Sequence, residues 1–317
     1  MTGPDRVEQF RADIAASPDA FERLLDAQAA APIEAIDHAQ RICCTGLGSS
    51  RFAAEIVVGR LRAEGRSAWA ELASTDQAAA TAPAADLTLV AISASGRTPE
   101  VIAAAQRHRG TSRVVAITND PASPLAAVAD TVVPLHAGPE ASGIACRTFR
   151  ATLAALALLT GTAEVAELRP LVVALRARLA TSRAWVRSAA DALDGAPAID
   201  VLADAALAGL AGQAALMLRE APRLPAHAGA TGDWLHVGVY LAWPGLVVLR
   251  YPGDAADGEL VRVLRARGAT LVDVPPTGGP GLATPLASAI VSSLDAELLA
   301  AELWSRSSAS APNDKAP

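Results

Sequence analysis

Ser93-Ala94-Ser95-Gly96-Arg97-Thr98-Pro99-Glu100 follows the apolar run Leu87-Thr88-Leu89-Val90-Ala91-Ile92 and precedes Val101-Ile102-Ala103-Ala104-Ala105. That order predicts a buried strand, a hydroxyl-rich turn and a helix. The turn offers three hydroxyls and Gly96 for a tight bend. The free N–H groups and positive dipole end of the helix that it opens suit a bound anion. Three hydroxyls at a helix start can also serve only as caps, so the neighbouring segments decide the reading.

Upstream the same order recurs. Arg41-Ile42-Cys43-Cys44-Thr45 is a short apolar strand that runs into Gly46-Leu47-Gly48-Ser49-Ser50, with a helix from about Arg51 to Glu64. Position 51 is Arg and position 52 is Phe, so the third glycine of a dinucleotide fingerprint is missing. The turn also lacks the lysine of a P-loop. Two hydroxyl turns at the C-terminal ends of neighbouring strands lie where open α/β sheets bind ligands.

Further strands are expected at Ala68–Leu72, Arg113–Thr118 and Asp130–Leu135, with helices through about His108 and from about Ala145 to Leu159. Brief helices are expected at Asp76–Ala80 and Pro124–Ala129. This alternation implies parallel strands joined by right-handed crossovers, hence a doubly wound three-layer domain. Ahead of it, apolar residues such as Phe10, Ile14, Phe21, Leu24 and Leu25 predict helices over 4–38, broken at Ser17-Pro18-Asp19.

After it, one polar-faced helix is expected from Glu164 to about Leu193. A second β/α unit follows, with strands at Ala198–Leu202, Gly245–Tyr251 and Ala269–Val274. Its helices are expected at Ala206–Arg219, Ala256–Arg267 and Pro285–Trp304, with loops at Pro222–Gly232 and Pro275–Pro280. The expected division is N-terminal helices over 1–40, a first domain over 41–165, a connector over 166–195, a second domain over 196–304 and a disordered tail over 305–317.

Composition narrows the function classes. The 317 residues are 51% hydrophobic and 19% charged, which is globular, and aromatics are only 3%. A net charge of -6 leaves no electrostatic footprint for nucleic acid. The apolar windows are too short to span a bilayer and no signal core opens the chain, so a cytoplasmic protein without a membrane partner is expected. Cys43, Cys44 and Cys146 form neither a disulfide framework nor a C-x-x-C pair, so no metal is expected. Cys43 and Cys44 read as inert core thiols, and Cys146, at a helix start where a thiol's pKa can be lowered, reads as a packing residue of the ligand loop before a nucleophile. Lys315 is the only lysine among 27 basic residues.

The motifs Gly46-x-Gly48-Ser49-Ser50, Ser93-x-Ser95-Gly96-x-Thr98-x-Glu100 and Glu140-x-x-Gly143-Ile144-Ala145-x-x-Thr148-Phe149 together resemble the sugar isomerase (SIS) domain family. Asp13-Ile14-Ala15-Ala16-Ser17-Pro18 is similar to the family's leading Glu-Ile-x-x-Gln-Pro segment. In the second unit, Leu216-Met217-Leu218-Arg219-Glu220 and Gly232-Asp233-Trp234-Leu235-His236 resemble the family's Leu-Lys-Leu-Lys-Glu and Gly-Glu-Leu-Lys-His. The family includes the isomerase half of glucosamine-6-phosphate synthase, fructosamine-6-phosphate deglycases and amino-sugar-phosphate deaminases.

The resemblance implies an α/β fold of two tandem three-layer SIS domains with parallel doubly wound sheets. It also implies a homodimer with shared sites, a 6-phosphorylated sugar or amino sugar as ligand, and no cofactor. Gly48, Ser49, Ser50, Ser93, Ser95, Gly96 and Thr98 would hold the phosphate and nearby hydroxyls, with Ile144, Ala145 and Cys146 completing the binding loop. Glu220 would move protons between C1 and C2, and His236, often contributed by the partner subunit, would open the ring. A carboxylate base beside an enolisable carbonyl and an imidazole proton shuttle make chemical sense. The implied activity is aldose–ketose isomerisation or deglycation/deamination. Alternatives are a non-catalytic phosphosugar sensor and a phosphoglucose/phosphomannose isomerase.

Departures from the family pattern narrow the chemistry. Met217 replaces a site lysine, Cys146 a serine and Arg147 a lysine, while Ala311-Pro312-Asn313-Asp314-Lys315 matches the family's lysine-bearing end poorly. Imine chemistry is therefore not expected, whereas proton transfer is. No glutaminase domain precedes the first motif, so no glutaminase activity is expected. His227, in the loop between Glu220 and His236, reads as structural, with an unassigned contact to the site as the alternative.

Overall fold

A computed structural model describes residues 3–36, 38–278 and 284–310. Helices α1 (Gly3–Ala15) and α2 (Ser17–Ala30) lead into β1 (Arg41–Gly46), α3 (Ser49–Ala63), β2 (Ser67–Leu72), β3 (Leu87–Ile92), α4 (Pro99–His108), β4 (Arg113–Thr118), β5 (Thr131–Pro134) and α5 (Arg147–Leu159). The five strands pair parallel in the order β2-β1-β3-β4-β5. This is a doubly wound order whose switch point lies between β1 and β3. After α6 (Val165–Leu168), α7 (Pro170–Thr181) and α8 (Arg183–Leu193), a second parallel sheet contains β6 (Ala198–Ala203), β7 (Ala226–Ala230), β8 (Leu246–Arg250) and β9 (Thr270–Asp273) in the order β7-β6-β8-β9. Its helices are α9 (Ala208–Glu220), α10 (Thr231–Val237) and α11 (Asp257–Arg267), and α12 (Pro285–Ser310) closes the described chain.

Side-chain alternation along the central strands builds the layers. Ile42, Cys44, Val90 and Ile92 enter one core with α2, α3 and α5, whereas Cys43, Leu87, Leu89 and Ala91 face α4 on the other side. In the second sheet Ile199, Val201, Val247 and Leu249 join that same first core, and Leu202, Leu246 and Val248 meet α10 and α11. Both sheets are thus covered on both faces, which explains why every residue of β3 and β8 is buried and all but Thr88 and Arg250 are apolar. The two αβα units share the helical layer between them.

Several sequence expectations need correction. Asp76–Ala80 is a turn, not a helix, with the Asp76 carboxylate accepting from the Ala78 N–H at 2.9 Å. The single connector helix is three helices, interrupted at Arg169 before Pro170 and at Ser182. The expected loop over 222–232 contains β7 and the start of α10. Ala-His-Ala-Gly-Ala has no apolar alternation, so that edge strand gave no signal, and His227 stands exposed on it. The closing helix continues past Trp304 to Ser310, so that part of the expected tail is helical. Lys315 lies outside the described residues.

Helix α9 packs directly on α3, and two glycines make the contact possible. A Cβ on Gly209 would sit 2.3 Å from the Phe52 carbonyl oxygen, and one on Gly212 would sit 2.5 Å from the Phe52 ring. A Cβ on Gly48, just before α3, would be 3.6 Å from Leu216. Later positions on α9 meet earlier positions on α3, so the helices run antiparallel. Gly209→Ala should therefore destabilise the protein by about 1–3 kcal/mol through overpacking. Gly59→Ala, on the same α3 with no atom within 4 Å of an added Cβ, should be neutral or stabilising by up to about 1 kcal/mol. Denaturant unfolding separates the two, and an unaffected Gly209→Ala protein would contradict the packing account.

Candidate functional site

The β1/β3 switch point brings the two hydroxyl turns together. Gly46 ends β1 where an added Cβ would stand 3.2 Å from the Ile92 carbonyl and 2.9 Å from Ser50 Cβ, so the first turn passes close over the end of β3. Gly48 has φ +52° and forms the N-cap of α3, leaving Ser49 and Ser50 half-buried in the first turn of the helix. Neither serine hydroxyl is engaged by another described side chain.

The second turn is tightly strapped. Ser93 Oγ lies 2.9 Å from Thr98 Oγ1 and accepts from the Gly96 N–H at 3.1 Å, and Ser95 Oγ accepts from the Arg97 N–H at 3.2 Å. The segment after β4 holds its outer side: the Asn119 N–H donates to the Ala94 carbonyl at 2.9 Å, and the Leu125 N–H to the Gly96 carbonyl at 3.1 Å. Gly96 has φ +64°, and a Cβ there would overlap Ser123 Oγ at 2.0 Å, so no other residue fits. Ser95 is exposed and Thr98 half-buried, while Ser93 is buried and supports the turn from below.

Glu220 reaches this end of the first sheet through α9. Leu216 faces Gly48, and Glu220 follows four residues later, one helical turn on along the same face. Its carboxylate has no hydrogen bond or ion pair among the described residues. Burial pushes its pKa upward, and Arg219 opposes the shift.

The third segment, 138–146, is held by residues to which the sequence alone assigned no role. Glu140 Oε1 accepts from the N–H groups of Cys146 at 3.1 Å and Thr148 at 2.8 Å, so its carboxylate caps α5. Asp13 accepts from the N–H groups of Ala141 at 3.2 Å and Ser142 at 2.8 Å and pairs with Arg147 at 2.8 Å. Gln213, buried on α9, donates to the Ala145 carbonyl at 3.2 Å and so ties this loop to the helix that carries Glu220. The only sequence signal for Gln213 is a polar residue within an apolar helix.

Exposure separates the remaining expected site residues. Cys146 is fully buried, and its thiol donates to Glu140 at 3.5 Å. Burial, with Glu297 and Glu140 nearby, raises its pKa well above the usual thiol value. Glu140 occupies the helix N-terminus, so the helix start does not acidify this thiol. Ile144 is also buried, which leaves Ala145 as the partly open residue of the three. His236 lies exposed on α10 and forms no hydrogen bond with Glu220 or with either turn. As expected of core thiols, Cys43 and Cys44 are buried, with the Cys43 pKa pushed up to about 12 and that of Cys44 also raised.

The SIS domain profile matches residues 35–161, the stretch that contains both hydroxyl turns and the Glu140 loop. Residues 35–161 thus match the SIS domain family. Over 207 residues the chain is 30% identical to glutamine–fructose-6-phosphate aminotransferase [isomerizing] of Aeropyrum pernix, covering 60% of this chain and 33% of that protein. The chain thus spans about a third of the length of the curated relatives that it matches. Its fold is similar to the C-terminal domain of glucosamine-fructose-6-phosphate aminotransferase from Francisella tularensis, with TM-score 0.79, 18% identity and coverage of 94% and 96% of the two chains. It is also similar to glucosamine-6-phosphate deaminase from Thermotoga maritima, with TM-score 0.77, 17% identity and coverage of 94% and 95%. No described helix is long and apolar enough to cross a membrane.

Behind the SIS domain's loop lies a buried charge network. Arg150 donates to Glu297 on α12 at 2.7 Å, to Ser17 at 3.1 Å, and to the carbonyls of Cys146 and Ile290 at 3.1 Å. Arg178 pairs with Asp295 at 2.8 Å. Burial outweighs the arginines, so the Glu297 pKa rises from 4.5 to about 7 and that of Asp295 from 3.8 to about 6. The folded protein therefore holds these protons more tightly than the unfolded chain does, and stability falls as pH rises from about 4 to about 7. Glu297→Gln removes one titrating group and should flatten that slope, although Gln also weakens the Arg150 pair at every pH. Denaturant unfolding across pH 4.5–7.5 checks this, and parallel profiles for the two proteins would contradict it.

Proposed function

We propose that the protein is an enzyme that binds a 6-phosphorylated sugar or amino sugar in open-chain form and moves a proton between C1 and C2. One observation carries the reading: α9, seated on α3, sets Glu220 one turn beyond the residue that faces the Gly48 turn. The phosphate accepts hydrogen bonds from Ser49, Ser50, Ser95 and Thr98 and from free N–H groups at the start of α3, with Ser93 supporting the turn. This leaves the carbonyl end of the sugar toward α9. Names in the similar proteins, fructose-6-phosphate aminotransferase and glucosamine-6-phosphate deaminase, support this substrate class.

Glu220 acts as the base. Its carboxylate removes the proton from C2 of an aldose or C1 of a ketose, giving an enediol, and returns it to the adjacent carbon. Glu220 is exposed at the end of α9, and the partial desolvation there shifts its pKa upward, which strengthens it as a base. Met217, at the position of the family's site lysine, is fully buried in the core, which favours proton transfer over imine formation there. On an amino-ketose phosphate the same enolisation leads through an enaminol to an imine of the substrate's own amine, and water adds to that C=N bond and releases the amine, leaving the carbonyl.

His236 enters the reading from a second subunit. Beside it, Val237, Tyr240, Leu241 and Trp243 form an exposed apolar group, with Tyr240 77% and Leu241 74% exposed, as an interaction surface would be. A homodimer that covers this surface would bring His236 of the partner subunit to the sugar as the ring-opening group. The reaction is placed in the cytoplasm.

Glu220→Gln should lower exchange of the C1/C2 proton with deuterated solvent by about 10²–10⁴-fold, with sugar-phosphate affinity kept within a few-fold. NMR of the sugar in deuterium oxide reads the first quantity and calorimetry the second. Undiminished exchange would remove Glu220 from the role.

A further inference from the structure

A cavity of about 630 Å³ opens between α3, β2, the start of α9 and β7. None of Ser49, Ser50, Ser95, Thr98 or Glu220 lines it. Arg51, Phe52, Glu55, Val58, Gly59 and Arg62 form one stripe of α3 along its wall. Gly209, Gly212 and several alanines line it from the α9 side. Arg219 reaches it from the far end of α9.

The charge there is unbalanced. Three guanidiniums face one carboxylate, in a chain of net charge -6. Glu55 is already paired with Arg51 at 2.8 Å. Arg51 Nε is buried and has no hydrogen-bond partner. Among the described residues, the side chains of Arg62 and Arg219 make no ion pair or hydrogen bond. Ala208 and Gly209, in the first turn of α9, bring the positive end of that 13-residue helix to the same cavity.

Spacing sets the ligand's shape. Arg51 and Arg62 are eleven residues apart on one helix, or about 16 Å between Cα atoms. Because α9 is antiparallel to α3 and Gly212 lies against Phe52, Arg219 falls near the Arg51 end. Two guanidiniums thus serve one end of the cavity and one serves the other, with Phe52 and Trp69 among the apolar walls. We propose that this cavity is a second anion site, separate from the hydroxyl turns, for an elongated organic molecule carrying a phosphate or carboxylate group at each end. Such a ligand cross-links α3 to α9.

The probe is hexane-1,6-diyl bisphosphate, titrated by calorimetry at fixed ionic strength into the full chain carrying Ser49→Ala, Ser50→Ala, Ser95→Ala and Thr98→Ala, which removes the four hydroxyls of the turn site. The bisphosphate should bind at least tenfold more tightly than inorganic phosphate. Adding Arg62→Gln and Arg219→Gln should weaken it at least tenfold. Gly59→Phe, which leaves every arginine in place and fills open space, should block it. No measurable binding at millimolar bisphosphate would overturn the site, as would unchanged affinity in the arginine or Gly59 variants. The proton-exchange test of Glu220 does not depend on this result, so either reading can fail alone.

Discussion

The contact between α3 and α9 is the constraint on which the site depends. Helix α3 starts at the first hydroxyl turn of the first sheet, and α9 ends at Glu220 in the second unit. The two could be far apart in a chain of two α/β units joined by a loose connector. They are held together because Gly209 and Gly212 let the helix backbones approach, with the Phe52 carbonyl and ring occupying the space that side chains would need. The shared core that flanks this contact includes residues from both sheets and from α12. The position of the proposed base is therefore a packing consequence, set by the absence of two side chains.

A second layer of control lies in the charges behind the loop over 138–146. Asp13, from the leading helices, and Glu140 satisfy backbone N–H groups that a ligand could otherwise use, and Arg147 bridges them. Arg150 then ties the same loop, through the Cys146 carbonyl, to Glu297 on the closing helix. Leading helices, SIS domain and closing helix are thus joined at the site by ionic contacts with little exposure. Partly satisfied buried networks are costly, and Glu297 Oε1 and the Tyr251 hydroxyl have no hydrogen-bond partner here. The raised pKa of Glu297 is the same imbalance expressed as proton affinity.

Much of the first sheet was legible because its signals are local. Strong apolar runs mark β1, β3 and β4, and glycine with hydroxyls marks each turn that follows. What could not be read from the chain was long-range or weakly encoded. The strand β7 is built of alanine, glycine and histidine and owes its existence to pairing with β6. The connector's breaks at Arg169 and Ser182 lie inside one continuous helical pattern. Cys146 illustrates the limit for the site itself: a cysteine at a helix start normally gains acidity, but here a glutamate six residues earlier takes the helix end first. Similarly, nothing local marks Gln213 as the residue that joins α9 to the loop.

The central claim is that one sugar phosphate lies between the two hydroxyl turns and α9. A crystal structure with bound glucitol 6-phosphate, which has no carbonyl to react, tests it most directly. The account requires the phosphate within hydrogen-bond distance of Ser49 or Ser50 and of Ser95 or Thr98, with C1 and C2 directed at the Glu220 carboxylate. A phosphate held elsewhere, or a chain whose C1–C2 end points away from α9, would contradict it.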